Sequence, residues 1–243
     1  MIETVLFTGS LCAAKPLSIY LTIASELVCL PVMDRTYTSS ERLTDGIIHV
    51  VGVSSSLIAV SSMLAIASVS LPALSFLSAL IYGVGMIAML SFSAAYHLIR
   101  VPRWKNTLRR LDQAAIFLKI AGTYTPFALV KLGGWAGLAL LSSVWTIALF
   151  GAAAKLMLSS RWDRLAVILY LSLGWSGLFV WQSLATSISL TALILLGIGG
   201  VIYSIGVIFH LWQSLPHQNS IWHLFVLVGT GFHFGAVATA LFT

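Results

Sequence analysis

A few ionisable residues stand inside or beside the long apolar segments of this 243-residue chain. His97 and His223 lie in different apolar segments, and Asp112 precedes a third. Ionisable groups are costly within a membrane and are candidates for function by default. Zinc binds imidazole and carboxylate, and a catalytic zinc keeps one position for water. We therefore interpret His97 and His223 as metal ligands and Asp112 as the acid/base that acts on that water. The alternative is a set of buried histidines hydrogen-bonded between helices.

Two further polar residues share a helix face with these histidines. Ser93 stands four residues before His97, and Asn219 stands four residues before His223. Side chains at that spacing are neighbours on a helix. The Ser93 hydroxyl can therefore support the imidazole or the water of the site, as groups around a metal often do.

The elements that must position these residues are predicted from composition and hydropathy. Of all residues 59% are hydrophobic and only 8% are charged, about a third of the usual charge. This apolar composition excludes a cytosolic enzyme, a nucleic-acid-binding module and a secreted disulfide scaffold. Seven apolar runs are long enough to cross about 30 Å of hydrocarbon, so we predict an all-α, polytopic, seven-transmembrane-helix bundle whose partners are membrane lipids and not nucleic acid. The predicted spans are 46–71, 74–99, 113–131, 134–155, 165–184, 188–211 and 220–242.

The basic residues predict the orientation of this bundle. Eleven of them fall on the side of the N-terminus, against only Lys131 in the opposite loops: Lys15, Arg35, Arg42, Arg100, Arg103, Lys105, Arg109, Arg110, Lys155, Arg161 and Arg164. The excess of Lys and Arg in cytoplasmic loops places the N-terminus in the cytoplasm and the C-terminus outside. Residues 1–45 are then a cytoplasmic or interfacial segment, or in part an over-extended start, and residues 46–243 form the membrane domain. His49, His97, Asp112 and His223 gather near the cytoplasmic face.

Several short motifs of the sequence resemble those of a known family. They are Ser93-x-x-x-His97, 111–117 (LDQAAIF), 121–127 (AGTYTPF) and 221–227 (IWHLFVL), the last followed by His233, together with Glu41 and His49. Over about 40–243 the chain resembles the bacterial haemolysin-III-type branch of the progestin and adipoQ receptor superfamily. The resemblance implies a seven-helix bundle with zinc near the cytoplasmic face of a bacterial inner membrane.

The resemblance also implies roles for individual residues. The family holds its zinc with one histidine from S-x-x-x-H and two from a terminal H-x-x-x-H, and an aspartate acts through water. Carried over, His97 and His223 are ligands, Asp112 is the water-linked acid/base and Ser93 supports the site. This chain has Asn219 in place of the first histidine of the terminal motif, and an amide oxygen is a poor zinc ligand. Asn219 therefore remains a weak candidate for the third ligand, and His217 or His49 could reach the metal in its place.

Two functions remain open at this point. One is a zinc-dependent hydrolase of a lipid amide or ester, which the ceramidase-like relatives imply. The other is a non-enzymatic protein of membrane homeostasis, membrane stress or cytolysis, in which zinc is structural or absent.

Four further polar residues have two interpretations each. Lys119 is expected to pair with Asp112 or to extend toward the cytoplasm, and His233 to make an interhelical hydrogen bond or relay protons. Glu41 and Asp45 share a face with His49, and either brace the site or cap the first span.

Overall fold

The computed structural model describes residues 37–157 and 163–243, and within these residues every regular element is a helix. The eight α-helices are α1 Ser39–Ser70, α2 Ala73–Leu98, α3 Pro102–Pro126, α4 Gly134–Met157, α5 Asp163–Gly174, α6 Trp181–Ser187, α7 Leu190–Leu211 and α8 Gln218–Phe242. They provide seven spans long and apolar enough to cross a membrane, the fifth formed by α5 and α6 together. The predicted all-α, seven-span class is confirmed. Residues 1–36 of the predicted N-terminal segment lie outside the described residues.

Helix α1 begins seven residues before the expected first span. Thr38 and Glu41 form a capping box, in which the Thr38 backbone N–H donates to Glu41 Oε2 at 2.8 Å and the Glu41 N–H donates to Thr38 Oγ1 at 3.2 Å. Such a box satisfies two backbone donors that a helix start leaves without partners. The helix therefore extends beyond the apolar run, and Glu41 and Asp45 become helical residues.

Helix α3 begins at Pro102, eleven residues before the expected third span, because proline is favoured in the first turn of a helix. The basic residues between the second and third spans therefore lie largely on a helix, where a loop was expected. The Arg110 guanidinium donates to the Leu156 carbonyl at 2.6 Å, and the Lys105 ammonium donates to the Tyr96 carbonyl. Both contacts satisfy carbonyls at helix C-terminal ends, where positive charge is favourable.

The fifth span is discontinuous. Helix α5 ends at Gly174, a 3-10 turn follows over Ser176–Val180, and α6 completes the span. The Tyr124 hydroxyl donates to the Gly174 carbonyl at 2.7 Å and accepts from the Gly177 N–H at 2.8 Å. Backbone groups within a membrane need such partners, so a side chain from α3 satisfies the break.

The packing of α1, α2, α3 and α8 sets the position of the site. Helix α1 packs against both α2 and α8, and α3 packs against α2. The contact between α2 and α3 is close, because a Cβ atom at Gly85 would stand 3.3 Å from the Leu118 carbonyl oxygen and one at Gly122 would stand 3.2 Å from that of Ile81. Small residues allow such backbone approach between membrane helices. The short connections between α1, α2 and α3 alternate the direction of these helices, so the start of α1, the end of α2 and the start of α3 share one end of the bundle.

Candidate metal centre

Four ionisable side chains from three helices converge at that end of the bundle. Asp45 and His49 come from α1, His97 is the penultimate residue of α2, and His223 lies in the second turn of α8. One potential ligand atom of each lies within 4.8 Å of those of the others. Asp45, His49 and His223 are 8%, 5% and 8% exposed. We call these four residues the histidine–aspartate cluster, and its donor set could hold a metal ion.

The Asp45 carboxylate is the centre of this cluster. Its Oδ1 lies 2.6 Å from His223 Nδ1, and its Oδ2 lies 3.0 Å from His97 Nδ1 and 3.6 Å from His49 Nε2. Donor atoms around a tetrahedral ion bound at about 2.0–2.1 Å stand roughly 3.4 Å apart. The observed separations between the Asp45 oxygens and the ring nitrogens lie on both sides of that value, and the four residues could hold a metal ion.

The His49 imidazole supplies an independent indication that the site binds an ion. Its Nε2 atom is buried and has no hydrogen-bond partner among the described residues, since 3.6 Å to Asp45 exceeds hydrogen-bond length. A buried polar atom without a partner costs free energy. An ion bound by His49 Nε2 would remove that cost.

Glu41 connects the two helix starts that carry three of the four cluster residues. Its Oε1 accepts the backbone N–H of His217 at 2.9 Å, while Oε2 accepts that of Thr38. The Ser220 hydroxyl also donates to the Glu41 carbonyl at 3.4 Å. His217 directly precedes α8 with φ 56° and ψ 20°, a left-handed conformation uncommon for a residue with a side chain. The Glu41 carboxylate therefore fixes the start of α8 against that of α1.

The structure brings together His97 and His223, the two histidines that the sequence predicts as ligands. Asp112 is half-buried in α3. It interacts with the Ser93 side chain and, electrostatically, with His97 and His49. Ser93 and Asp112 thus lie beside the cluster and not within it.

The two candidate third ligands that precede His223 in the sequence are His217 and Asn219, and the structure places them as follows. The group of ionisable ligands found among the described residues does not include His217, whose backbone binds Glu41. Asn219 is half-buried in the first turn of α8. Of the two expected substitutes for the missing histidine, His49 is the one in the cluster.

Asp45 is the cluster residue that the sequence analysis did not predict as a ligand. It was expected only to brace the site or to cap the first span. The signal that could have found it is the Asp45-x-x-x-His49 spacing, which places both side chains on one face of α1.

Lys119 differs from both expectations for it. It neither pairs with Asp112 nor extends out of the bundle, but is 3% exposed and contacts Tyr203 and His233. The contact between His233 on α8 and Lys119 on α3 agrees with the expected interhelical hydrogen bond of His233.

Fold and site together define a multi-pass, seven-helix membrane protein with a buried histidine–aspartate cluster at one end of its bundle. The chain belongs to the haemolysin-III-related family, whose model matches residues 37–234, so the resemblance seen in the sequence is confirmed.

Three relatives illustrate this membership. The chain is 36% identical over 201 residues to the Hemolysin-3 homolog of Bacillus subtilis (strain 168), covering 83% of this chain and 94% of the relative. It is 36% identical over 197 residues to Hemolysin-3 of Bacillus cereus, covering 81% and 90%. Identity to the human Monocyte to macrophage differentiation factor is 26% over 170 residues, covering 66% and 69%.

Alanine substitution of the three cluster histidines tests which residues bind the ion. We expect about one metal ion per chain in the purified protein and a large loss of metal in His49→Ala, His97→Ala and His223→Ala. His217→Ala and Asn219→Ala are the matched controls and should retain the ion. Elemental analysis by mass spectrometry measures this content. Full metal in His49→Ala together with its loss in His217→Ala would assign the third ligand to His217, directly before α8.

A comparison of Glu41→Ala with Thr38→Ala tests the connection between the two helix starts. Thr38→Ala removes only a side-chain cap, so it should lower stability by about 1 kcal/mol and leave metal affinity unchanged. Glu41→Ala also releases the start of α8, and should weaken metal binding about 10- to 100-fold, as loss of an outer partner does. Chelator competition measures affinity, and thermal unfolding measures stability. Equal metal affinities in the two variants would contradict a positioning role for Glu41.

Proposed function

We propose that this chain is a zinc-dependent hydrolase of a lipid amide or ester. The observation that carries the proposal is the buried histidine–aspartate cluster with a second carboxylate, Asp112, beside it in the same bundle. Metal-dependent hydrolases combine an ion-binding set with a separate acid/base group. The neighbouring Asp112 and Ser93 supply the polar groups that a purely structural ion would not need.

The donor chemistry favours zinc over other common ions. Three imidazoles and one carboxylate suit zinc, whereas calcium and magnesium prefer oxygen ligands. Zinc is therefore the ion that we propose for the site.

Asp45 holds the histidine rings in this proposal and leaves a position open. It approaches both His97 and His223 at Nδ1. If these nitrogens carry the protons, they donate to the carboxylate, and each ring presents Nε2 to the ion. A carboxylate that orients ligating histidines in this way is a recurrent feature of metal sites. Three imidazoles then leave the fourth position that a catalytic zinc requires.

Asp112 and Ser93 carry the proton chemistry. When bound, zinc polarises a carbonyl group and makes water nucleophilic near neutral pH. Asp112 takes the proton of the attacking water and delivers it to the departing amine or alkoxide, as a general acid/base does. The Ser93 side chain interacts with the Asp112 carboxyl and keeps it turned toward the cluster.

The position of the site favours a lipid substrate. His49 and His97 lie within spanning helices but near the end of the bundle, at a depth that corresponds to the region below the headgroups. From the basic residues of the same end, which include Arg100 and Arg103, we further propose that the site lies in the cytoplasmic leaflet of a bacterial inner membrane, with the C-terminus outside. An acyl linkage between headgroup and chain would lie at this depth.

The second candidate is a non-enzymatic protein of membrane stress or cytolysis with a structural zinc. One observation favours it: Asp45 with the three histidines already supplies four donors, and a closed tetrahedral set is typical of structural zinc. Such an ion would tie α1, α2 and α8 together. The hemolysin names of two relatives agree with a cytolytic association, which this candidate would explain through bilayer properties.

Asp112→Asn separates hydrolysis from metal binding. We expect the variant to retain zinc, since Asp112 is outside the cluster, and to hydrolyse N-acyl and O-acyl lipid probes at least about 100-fold more slowly, the contribution of a general acid/base. Ser93→Ala should give a smaller loss, about tenfold, because it acts only through Asp112. Zinc content and hydrolysis in mixed micelles measure the two properties. Unchanged hydrolysis in Asp112→Asn would contradict the proposal.

Asp45→Asn separates the two candidate functions. If Asp45 orients the histidines, the variant keeps zinc with an affinity about 10- to 100-fold lower, and X-ray absorption counts the same three imidazoles. If Asp45 is the fourth ligand of a closed structural site, the ion is lost or its coordination changes, since an amide oxygen is a poor ligand. Cobalt-substituted protein gives an independent measure, because its visible spectrum depends on coordination number.

A further inference from the structure

A second polar group lies deeper in the bundle, apart from the histidine–aspartate cluster. Lys119 on α3 is 3% exposed, and lies seven residues beyond Asp112, about 10 Å along the helix. Its Nζ donates to the Tyr203 hydroxyl on α7 at 2.8 Å and lies 3.3 Å from His233 Nδ1 on α8. The Tyr203 hydroxyl in turn lies 2.6 Å from Thr230 Oγ1.

Within residues 37–157 and 163–243, no counterion accompanies this amine. The titratable groups that face it are Tyr203 and His233, and Tyr82 on α2 lies close enough to Tyr203 for an electrostatic interaction. Among the residues that the structure describes, Lys119 makes no ion pair. A buried charge without a partner is costly in a membrane protein, and such a residue is a candidate for function.

A count of donors and acceptors matches the neutral amine. The His233 ring also interacts with the Leu196 backbone, and in the neutral tautomer whose Nε2 carries the proton, Nδ1 has the lone pair. In that tautomer Lys119 has two acceptors, His233 Nδ1 and the Tyr203 hydroxyl. A neutral amine has two N–H donors, whereas an ammonium has three.

Glycine residues on the surrounding helices leave space for the His233 and Tyr203 rings. A Cβ atom at Gly199 would stand 2.3 Å from His233 Cδ2, and one at Gly229 would stand 3.1 Å from Tyr203 Cδ2. Any larger residue at Gly199 would displace the imidazole. In addition, the Tyr82 hydroxyl is buried and has no hydrogen-bond partner in the part of the chain that the structure describes, so the region contains a polar group with unused hydrogen-bonding capacity.

We propose that Lys119, Tyr203 and His233 form an intramembrane proton-binding site. The neutral Lys119 amine accepts one proton from a hydronium ion: a new N–H bond forms at its lone pair, and water is released. His233 Nδ1 and the Tyr203 hydroxyl then accept hydrogen bonds from the ammonium, and Tyr82 offers further acceptor capacity beside Tyr203. The site requires no metal and goes beyond the proposed hydrolysis.

Nitrogen-15 NMR of the lysine side chains tests the proposal in nanodiscs of phosphatidylcholine. The chain has five lysines, and the signal lost in Lys119→Met identifies Lys119. We expect its Nζ to be an amine at high pH and to convert to ammonium as the pH is lowered from about 8 to about 5, the range known for buried lysines. An Nζ that is ammonium, or amine, throughout this range would overturn the proposal.

Three variants and one treatment serve as controls. Tyr203→Phe and His233→Phe each remove one acceptor of the ammonium, so each should lower proton affinity about tenfold, which shifts the conversion by about one pH unit. Lys155→Met removes another buried lysine and should leave the Lys119 conversion unchanged, as should removal of metal by a chelator. Tyr203→Phe keeps the shape of the side chain and removes only its hydroxyl. If neither Tyr203→Phe nor His233→Phe shifts the pH at which Lys119 converts, the proposal is overturned.

Discussion

The convergence of three histidines on the Asp45 carboxylate is the interaction on which the site end of the bundle depends. Imidazoles from α1, α2 and α8 meet around one carboxylate, so the three helices are connected where their apolar contacts are interrupted by polar groups. Each imidazole alone would be a buried polar side chain in need of a partner. Asp45 lies within hydrogen-bond distance of His97 and His223, and an ion would supply the partner that His49 Nε2 lacks among the described residues.

Two of the polar groups of this bundle lie at different depths. The histidine–aspartate cluster occupies one, and Lys119 with Tyr203 occupies another about two helical turns deeper. Buried apolar residues such as Met86, Met89 and Ala115 belong to the core between helices. Polar side chains that hydrogen-bond to one another within the bundle need no contact with lipid. An otherwise apolar chain can therefore contain a buried lysine and several buried histidines.

The sequence predicted what depends on hydropathy and missed what depends on local caps and helix rotation. The seven spans follow from the lengths of apolar runs, and His97 and His223 were identifiable because polar residues in such runs are rare. The starts of α1 and α3 were missed because Thr38 and Pro102 initiate helices outside the apolar runs. The partners of Lys119 could not be predicted, because they depend on how α7 and α8 rotate against α3.

The position of Asp45 explains how this chain can assemble four potential donors despite Asn219. The resemblance to the family implies two histidines four residues apart on the last helix. This chain instead has two donors, Asp45 and His49, four residues apart on α1. Residues at that spacing are neighbours on any helix, so the same pair geometry can be supplied from α1 when α1 packs against α8. Glu41, one turn earlier on that face, joins the start of α8 to α1, and thereby holds His223 at the distance that the α1 pair requires.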